Sequence, residues 1–182
     1  MSVPVAGSPF AGHVPVIETE RLRLRAHRAE DYATSLAIWS DPEVVRHISG
    51  QPSTPEEAWA RLLRSLGLWS LLGYGYWAVE EKAGGRHVGD IGLADFRRTI
   101  TPSLQDMLEF GWVLAPAAHG KGYASEAVAA VVDWAQAHFA ERRMVCIISP
   151  DNHASIRVAE KAGFRVWQHT TYYDSPTIVF SR

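Results

Sequence analysis

The spacing of apolar positions divides the chain into an ordered series of elements. Residues 21–25 alternate Arg with Leu22 and Leu24, the period of two expected of a half-buried strand. Residues 29–40 carry Leu36, Ile38 and Trp39 and predict a helix. Asp41-Pro42 then gives a cap and a proline at the first helical position, opening a short helix to His47. Thr54-Pro55-Glu56-Glu57 starts a longer one, since Glu57 stands three residues after the cap. Trp59, Leu62, Leu63, Leu66 and Trp69 follow at three- and four-residue spacing as its apolar face. Gly73 and Gly75 break the pattern. Strands are predicted at 74–80 and 88–96, joined by a turn at Gly84-Gly85, and a polar loop at 99–105 precedes a strand at 107–114. A long helix runs from Gly122 to about Phe139, an apolar strand covers 144–149, and residues 152–162 form a short helix with Gly163 at the C′ position. Strands near 164–173 and 177–180 end the chain. No repeat or heptad interrupts this order. Strand, helices, a three-stranded antiparallel meander, helix, strand, helix and hairpin make a mixed α/β sheet with helices on both faces.

Candidate chemistry concentrates where the strand at 108–114 meets the long helix. Gly120 and Gly122 bracket one residue at which the chain turns into the helix. Glycine has no Cβ, so backbone N–H groups can lie directly against a ligand. The first helical turn adds unpaired donors and the positive end of the helix dipole. Together they would cradle a phosphate or diphosphate, although such a turn also serves merely as a tight connection. Neither a P-loop nor a complete Gly-x-Gly-x-x-Gly is present, because Ser125 stands where the third glycine would be.

The segment His119-Gly120-Lys121-Gly122-Tyr123-Ala124-Ser125-Glu126-Ala127 resembles the acetyl-coenzyme A signature of the GNAT N-acetyltransferases, closest to their RimJ/RimL-like branch. Ala117 occupies the position that is Gln or Arg in the superfamily pattern, which removes one polar side-chain contact to the phosphates. Residues 151–164, from Asp151-Asn152-His153-Ala154-Ser155 to Lys161-Ala162-Gly163-Phe164, are similar to the branch's Asn-x-x-Ser helix ending in Lys-x-Gly-Phe. Residues 18–25 resemble its first strand. The resemblance implies an α/β (α+β) acyl-CoA N-acyltransferase fold: a mixed, mostly antiparallel sheet, helices on both faces, and splayed fourth and fifth strands. The edges of that gap would be 107–114 and 144–149.

Composition narrows the remaining classes. With 182 residues, 47% hydrophobic and 21% charged, one soluble domain is expected at 17–182, behind a loose arm at 1–16 rich in Gly, Pro and Ala. The net charge of -2 gives no electrostatic case for nucleic acid or an anionic membrane, and no run has the length of a membrane span. The arm lacks the basic region and long apolar core of a signal peptide, and Cys146 is the sole cysteine, so a cytoplasmic setting is the expectation. Cys146, in an apolar strand, reads as a structural thiol. The eight histidines show no metal-ligand spacing, and no metal is expected.

The implied reaction transfers acetyl from acetyl-CoA to a primary amine, the branch leaning toward a protein or peptide N-terminal amine. An α-amine of pKa about 7.7–8.0 is roughly a tenth or more neutral at pH 7, so a modest base suffices. Glu109, on the strand edging the gap, is the first candidate, desolvation raising its pKa; an outward surface carboxylate is the alternative, and Asp106, His169 and Asp174 remain open. The resemblance puts Ser155 in the role of protonating the thiolate and Asn152 on the pantetheine arm, although Asn152 is also a favoured helix cap. Tyr123 would pack under the cofactor or on its own helix, and Lys121 would meet a phosphate or solvent. The cofactor set is Trp112, Val113 and Leu114, with a backbone oxyanion donor near Trp112 or Val113, then His119 to Ser125, Asn152 and Ser155. Trp39, Trp69, Tyr172 and Tyr173 would frame the acceptor. A monomer or homodimer is expected. Acetylation of a small amine, a non-catalytic acetyl-CoA sensor and an unrelated phosphate-binding protein remain alternatives.

Overall fold

A computed structural model describes residues 13–182, so residues 1–12 of the expected arm lie outside the described residues. The last of that arm is docked: Val14 is partly buried against the core, and Pro15 O accepts from Trp77 Nε1 at 2.7 Å. Eight strands form one sheet, β1 (Ile17–Glu18), β2 (Leu22–Arg25), β3 (Tyr76–Glu81), β4 (Arg86–Ala94), β5 (Leu108–Leu114), β6 (Met144–Ile148), β7 (Arg165–Tyr172) and β8 (Ser175–Ser181). They lie in the order β1-β2-β3-β4-β5-β6-β8-β7, and every neighbouring pair is antiparallel except β5 with β6. Helices α1 (Tyr32–Trp39), α2 (Pro42–Val45) and α3 (Pro55–Leu72) join β2 to β3. Helix α4 (Tyr123–His138) joins β5 to β6, and α5 (His153–Lys161) joins β6 to β7.

Local chemistry explains the helix boundaries. Asp41 caps α2, and Thr54 with Glu57 closes a capping box on α3, which Gly73 ends at φ +70°. Gly163, at φ +88°, carries the chain out of α5. Helix α3 buries only part of the face its apolar spacing predicts: Leu62 and Trp69 face inward together with Ala58, while Trp59, Leu63 and Leu66 stay 42%, 49% and 38% exposed.

Successive β5 residues point to opposite faces. Phe110 and Leu114 join the main core with Val128, Val131 and Val132 of α4, whereas Val113 packs with Ile38 of α1 and Val44 of α2. Helix α4 and the α1–α2 pair therefore cover opposite faces of the sheet.

Candidate active site

Strands β5 and β6 pair only at Leu108↔Met144 and Glu109↔Val145, then part. A cavity of about 1230 Å³ opens at this point, lined by residues 109–113 of β5, 146–149 of β6 and its exit, Asn152 and Ser155 of α5, and Tyr172 and Tyr173. Phe110 and Cys146 belong to the core beneath α4, while Glu109, Gly111 and Val113 belong to the other face, so the cavity runs through the sheet. The backbone exposed in the gap follows from alternation. Leu108 N–H donates to Arg143 O on the β6 side and Ala115 N–H to Val88 O on the β4 side. By the same alternation Trp112 N–H faces the gap and Val113 N–H faces β4, which selects Trp112 between the two expected donors.

At the far end of β5 the chain turns into α4. Gly120 and Gly122 have φ +73° and +79°, a region costly for any residue with a Cβ, and no side chain caps α4. Its first-turn N–H groups keep the donor capacity of an anion site. The turn is fastened from a distance. Arg21 donates to Lys121 O at 2.8 Å and pairs with Glu126 at 2.7 Å, and Thr19 Oγ1 donates to Glu126 at 2.6 Å. Tyr123 is buried in the core and donates to Glu81 at 2.6 Å; that bond and Arg86 hold the Glu81 carboxyl down to about 2. Lys121 Nζ lies 3.6 Å from Glu81, and His119 Nε2 donates to Leu114 O at 2.9 Å. The side chains of His119, Lys121 and Tyr123 thus shape the turn, and no side-chain cap occupies the first-turn N–H groups of α4. An uncapped 16-residue helix behind two positive-φ glycines suits an anion such as a diphosphate, while Leu114 and His119 to Ser125 are not among the residues that line the cavity.

On the cavity wall, burial raises the Glu109 carboxyl above its ordinary range, against the pull of Arg98, which reaches both its oxygens at 2.8 Å and lies 2.7 Å from Oε1 through Nη2. Arg98 also donates to Tyr172 Oη at 3.1 Å and lies 4.5 Å from the Phe96 ring centroid. The Tyr76 hydroxyl stands where a Cβ at Gly111 would come within 2.0 Å, so any side chain at this position in β5 would have to displace the Tyr76 ring. Asn152 caps α5 through Ser155 N–H at 3.1 Å and lines the cavity as well, so capping does not take it out of the cavity wall. Trp39 lines the cavity too, but Trp69 is buried with Trp77 and Trp134 in the core, and Asp106, His169 and Asp174 are not among the lining residues.

Sequence reading missed Arg61, Arg64, Arg98, Tyr76 and the group His27, His87 and Asp90, which no local pattern links. Asp90 Oδ1 accepts from His27 Nε2 at 2.8 Å and from His87 Nε2 at 3.0 Å, and His87 Nε2 also lies 2.9 Å from Gly89 O. These three side chains have ligand atoms within 4.8 Å of one another, and the structure joins them by hydrogen bonds through Asp90. Among the described residues, no helix is long and apolar enough to cross a membrane.

Comparison with known proteins agrees with this geometry. A family model described as acetyltransferase (GNAT) domain matches residues 21–165. YkkB of Bacillus subtilis is 32% identical over 173 residues, covering 90% of this chain and 93% of its own. An acetyltransferase from Agrobacterium tumefaciens superposes with a TM-score of 0.80 at 27% identity, over 93% of this chain and 94% of that one. RimL, a ribosomal L7/L12 alpha-N-protein acetyltransferase solved with coenzyme A, shares the fold at 16% identity, with a TM-score of 0.75 over 92% and 97% of the two chains.

Proposed function

The chain belongs to the GNAT acetyltransferase family and is an acetyl-CoA-dependent N-acetyltransferase, and on that premise we propose that it acetylates the N-terminal amine of a protein or peptide by direct attack in a ternary complex. The observation that carries this reading is the cavity through the sheet. It lets a thioester and an amine meet in the gap from opposite faces, which favours direct transfer.

In this reading the Gly120–Gly122 turn and the first turn of α4 hold the diphosphate of acetyl-CoA, and Asn152 meets its pantetheine arm. The amine nitrogen forms a C–N bond to the thioester carbon while the C–S bond breaks. Negative charge gathering on the carbonyl oxygen is met by an N–H of β5, that of Trp112. Glu109 takes the amine proton, directly or through water. Its ion pair with Arg98 tempers its basicity, which an α-amine tolerates because part of it is already neutral near pH 7. Sulfur leaves as thiolate and is protonated through the Ser155 hydroxyl.

The fold shared with RimL, and the residues resembling its branch at 119–127 and 151–164, support the N-terminal acceptor. The test is mass spectrometry of short Ala- or Ser-initiated peptides incubated with acetyl-CoA, beside spermidine. One acetyl on the α-amine supports the reading; modification of spermidine alone refutes it.

A further inference from the structure

We propose that the acceptor amine carries a carboxylate, and that Arg61 and Arg64 bind it on the cavity wall across the sheet from the glycine turn. The proposal rests on the acetyl-transfer reading above and specifies its substrate.

Arg61 and Arg64 are three residues apart on α3, hence on one face of the helix, and both line the cavity. The Arg61 guanidinium lies 4.0 Å from the Trp39 ring centroid, and that of Arg64 lies 5.5 Å from Phe96. The other arginines on this wall are already neutralised, Arg98 by Glu109 at 2.7 Å and Arg46 by Glu43 at 3.2 Å. Among the described residues, Arg61 and Arg64 have no carboxylate within ion-pair distance. Glu57, one helical turn before Arg61, uses its carboxylate to close the capping box on Thr54 N at 2.9 Å. Arg61 Nε is buried with no hydrogen-bond partner. Burial and the neighbouring Arg64 both work against the Arg61 charge and lower its pKa, with the Glu57 charge offsetting only part of that. Two adjacent cations with no carboxylate in ion-pair contact among the described residues, one of them with an orphaned buried donor and the other exposed, form a site for an anionic oxygen pair.

The anion is not the cofactor's diphosphate, by position. The glycine turn belongs to α4, which packs on the Phe110–Leu114 face, whereas Arg61 stacks on Trp39 at the end of α1, on the Val113 face. Nor does the wall suit a polycation. Its two buried carboxylates, Asp90 and Glu109, are each bonded already, to two imidazoles and to Arg98.

Two sources present this carboxylate: the α-carboxylate of a free amino acid, or an acidic side chain next to a peptide's N-terminus. Calorimetry on protein saturated with coenzyme A separates them, using alanine against alaninamide and Ser-Asp-Ala-amide against Ser-Asn-Ala-amide. In wild type, at least one carboxylate-bearing member should bind about tenfold tighter than its neutral partner. In Arg61→Gln/Arg64→Gln that preference should fall to within about twofold, and Arg61→Lys in place of Arg61→Gln should recover part of it. Acetyl-CoA affinity, measured on the same preparations, should not change, and circular dichroism with a urea midpoint verifies folding independently. Absence of binding or of preference in both wild-type pairs overturns the proposal. So does a loss of acetyl-CoA affinity in the folded double variant, which would assign the arginines to the cofactor. A carboxylate-bearing amine that binds through these arginines but is not acetylated on exchange of coenzyme A for acetyl-CoA would refute the transfer reading and leave the anion site standing.

Discussion

Asp90 is the carboxylate on which two imidazoles converge, and it gives the fold a pH dependence of known sign. Burial alone would raise its pKa, but bonds from His27 and His87 hold it well below the usual carboxylate range. Burial likewise opposes charge on His87, yet Asp90 and Asp31 outweigh it and raise its pKa. The His87 contribution to stability is therefore complete below the unfolded value, about 6.5, and is lost as pH rises through the higher folded value. The Asp90 contribution is present above about 3.9 and lost as acid protonates it. Urea midpoints should fall between pH 6 and pH 8.5 in wild type, and the fall should be smaller in His87→Gln; an equal fall in both would contradict the assignment. Catalytic residues have their own signatures. Ser155→Ala should lower kcat by about 10²-fold with acetyl-CoA affinity little changed, and an unaltered kcat removes its role. Glu109→Gln should depress the rate most at low pH, where the amine is mostly protonated, and an unchanged pH–rate profile rules it out as the base.

Among the elements, the glycine turn makes the sharpest prediction. Replacing Gly122 with Trp places a side chain where φ is +79°, and a Cβ there already lies 3.4 Å from Arg21 Nη2. Acetyl-CoA affinity should fall at least about tenfold. Gly85→Ala is the control, because Gly85 has φ +64° and open space around it in the β3–β4 turn. It should cost roughly 1–2 kcal/mol of stability for its left-handed backbone, with no loss of affinity. Equal affinity losses in both would reduce the turn to a mere connection. Elements written by short-range chemistry were legible in the sequence: the Thr54–Glu57 box, the Asp41 and Asn152 caps, and Gly163 after α5. What joins distant segments was not. The bonds from Arg21 to Glu126 and from Arg98 to Tyr172 span 105 and 74 positions, and no local period encodes them. The short strand β1 is made visible only by its pairing to β2. The α3 face was legible in part, Leu62 and Trp69 being buried, but spacing alone did not show that Trp59, Leu63 and Leu66 stay in solvent.

Across the whole molecule, one core beneath α4 and α5 supports the gap, and two tryptophans make the contrast between core and cavity plain. Trp69 is fully buried, with rings 4.6 Å from Trp77 and 5.6 Å from Trp134, so Trp69→Ala should cost about 3–5 kcal/mol in urea unfolding while the folded fraction keeps its acceptor affinity. Trp39→Ala, on the cavity wall beside Arg61, should instead raise the acceptor KM with a smaller stability loss. The reverse pattern would contradict the assignment of the two walls. The glycine turn, the gap and the acceptor wall are joined in one claim, that acetyl passes directly from acetyl-CoA to an amine inside the sheet. The most direct test follows coenzyme A thiol release by the purified protein with acetyl-CoA and an Ala- or Ser-initiated peptide carrying an acidic second residue. Thiol release dependent on both substrates, matched by one acetyl on the peptide's α-amine, is the predicted result; a folded protein that releases no thiol, or releases it without acetylating the amine, would contradict the account.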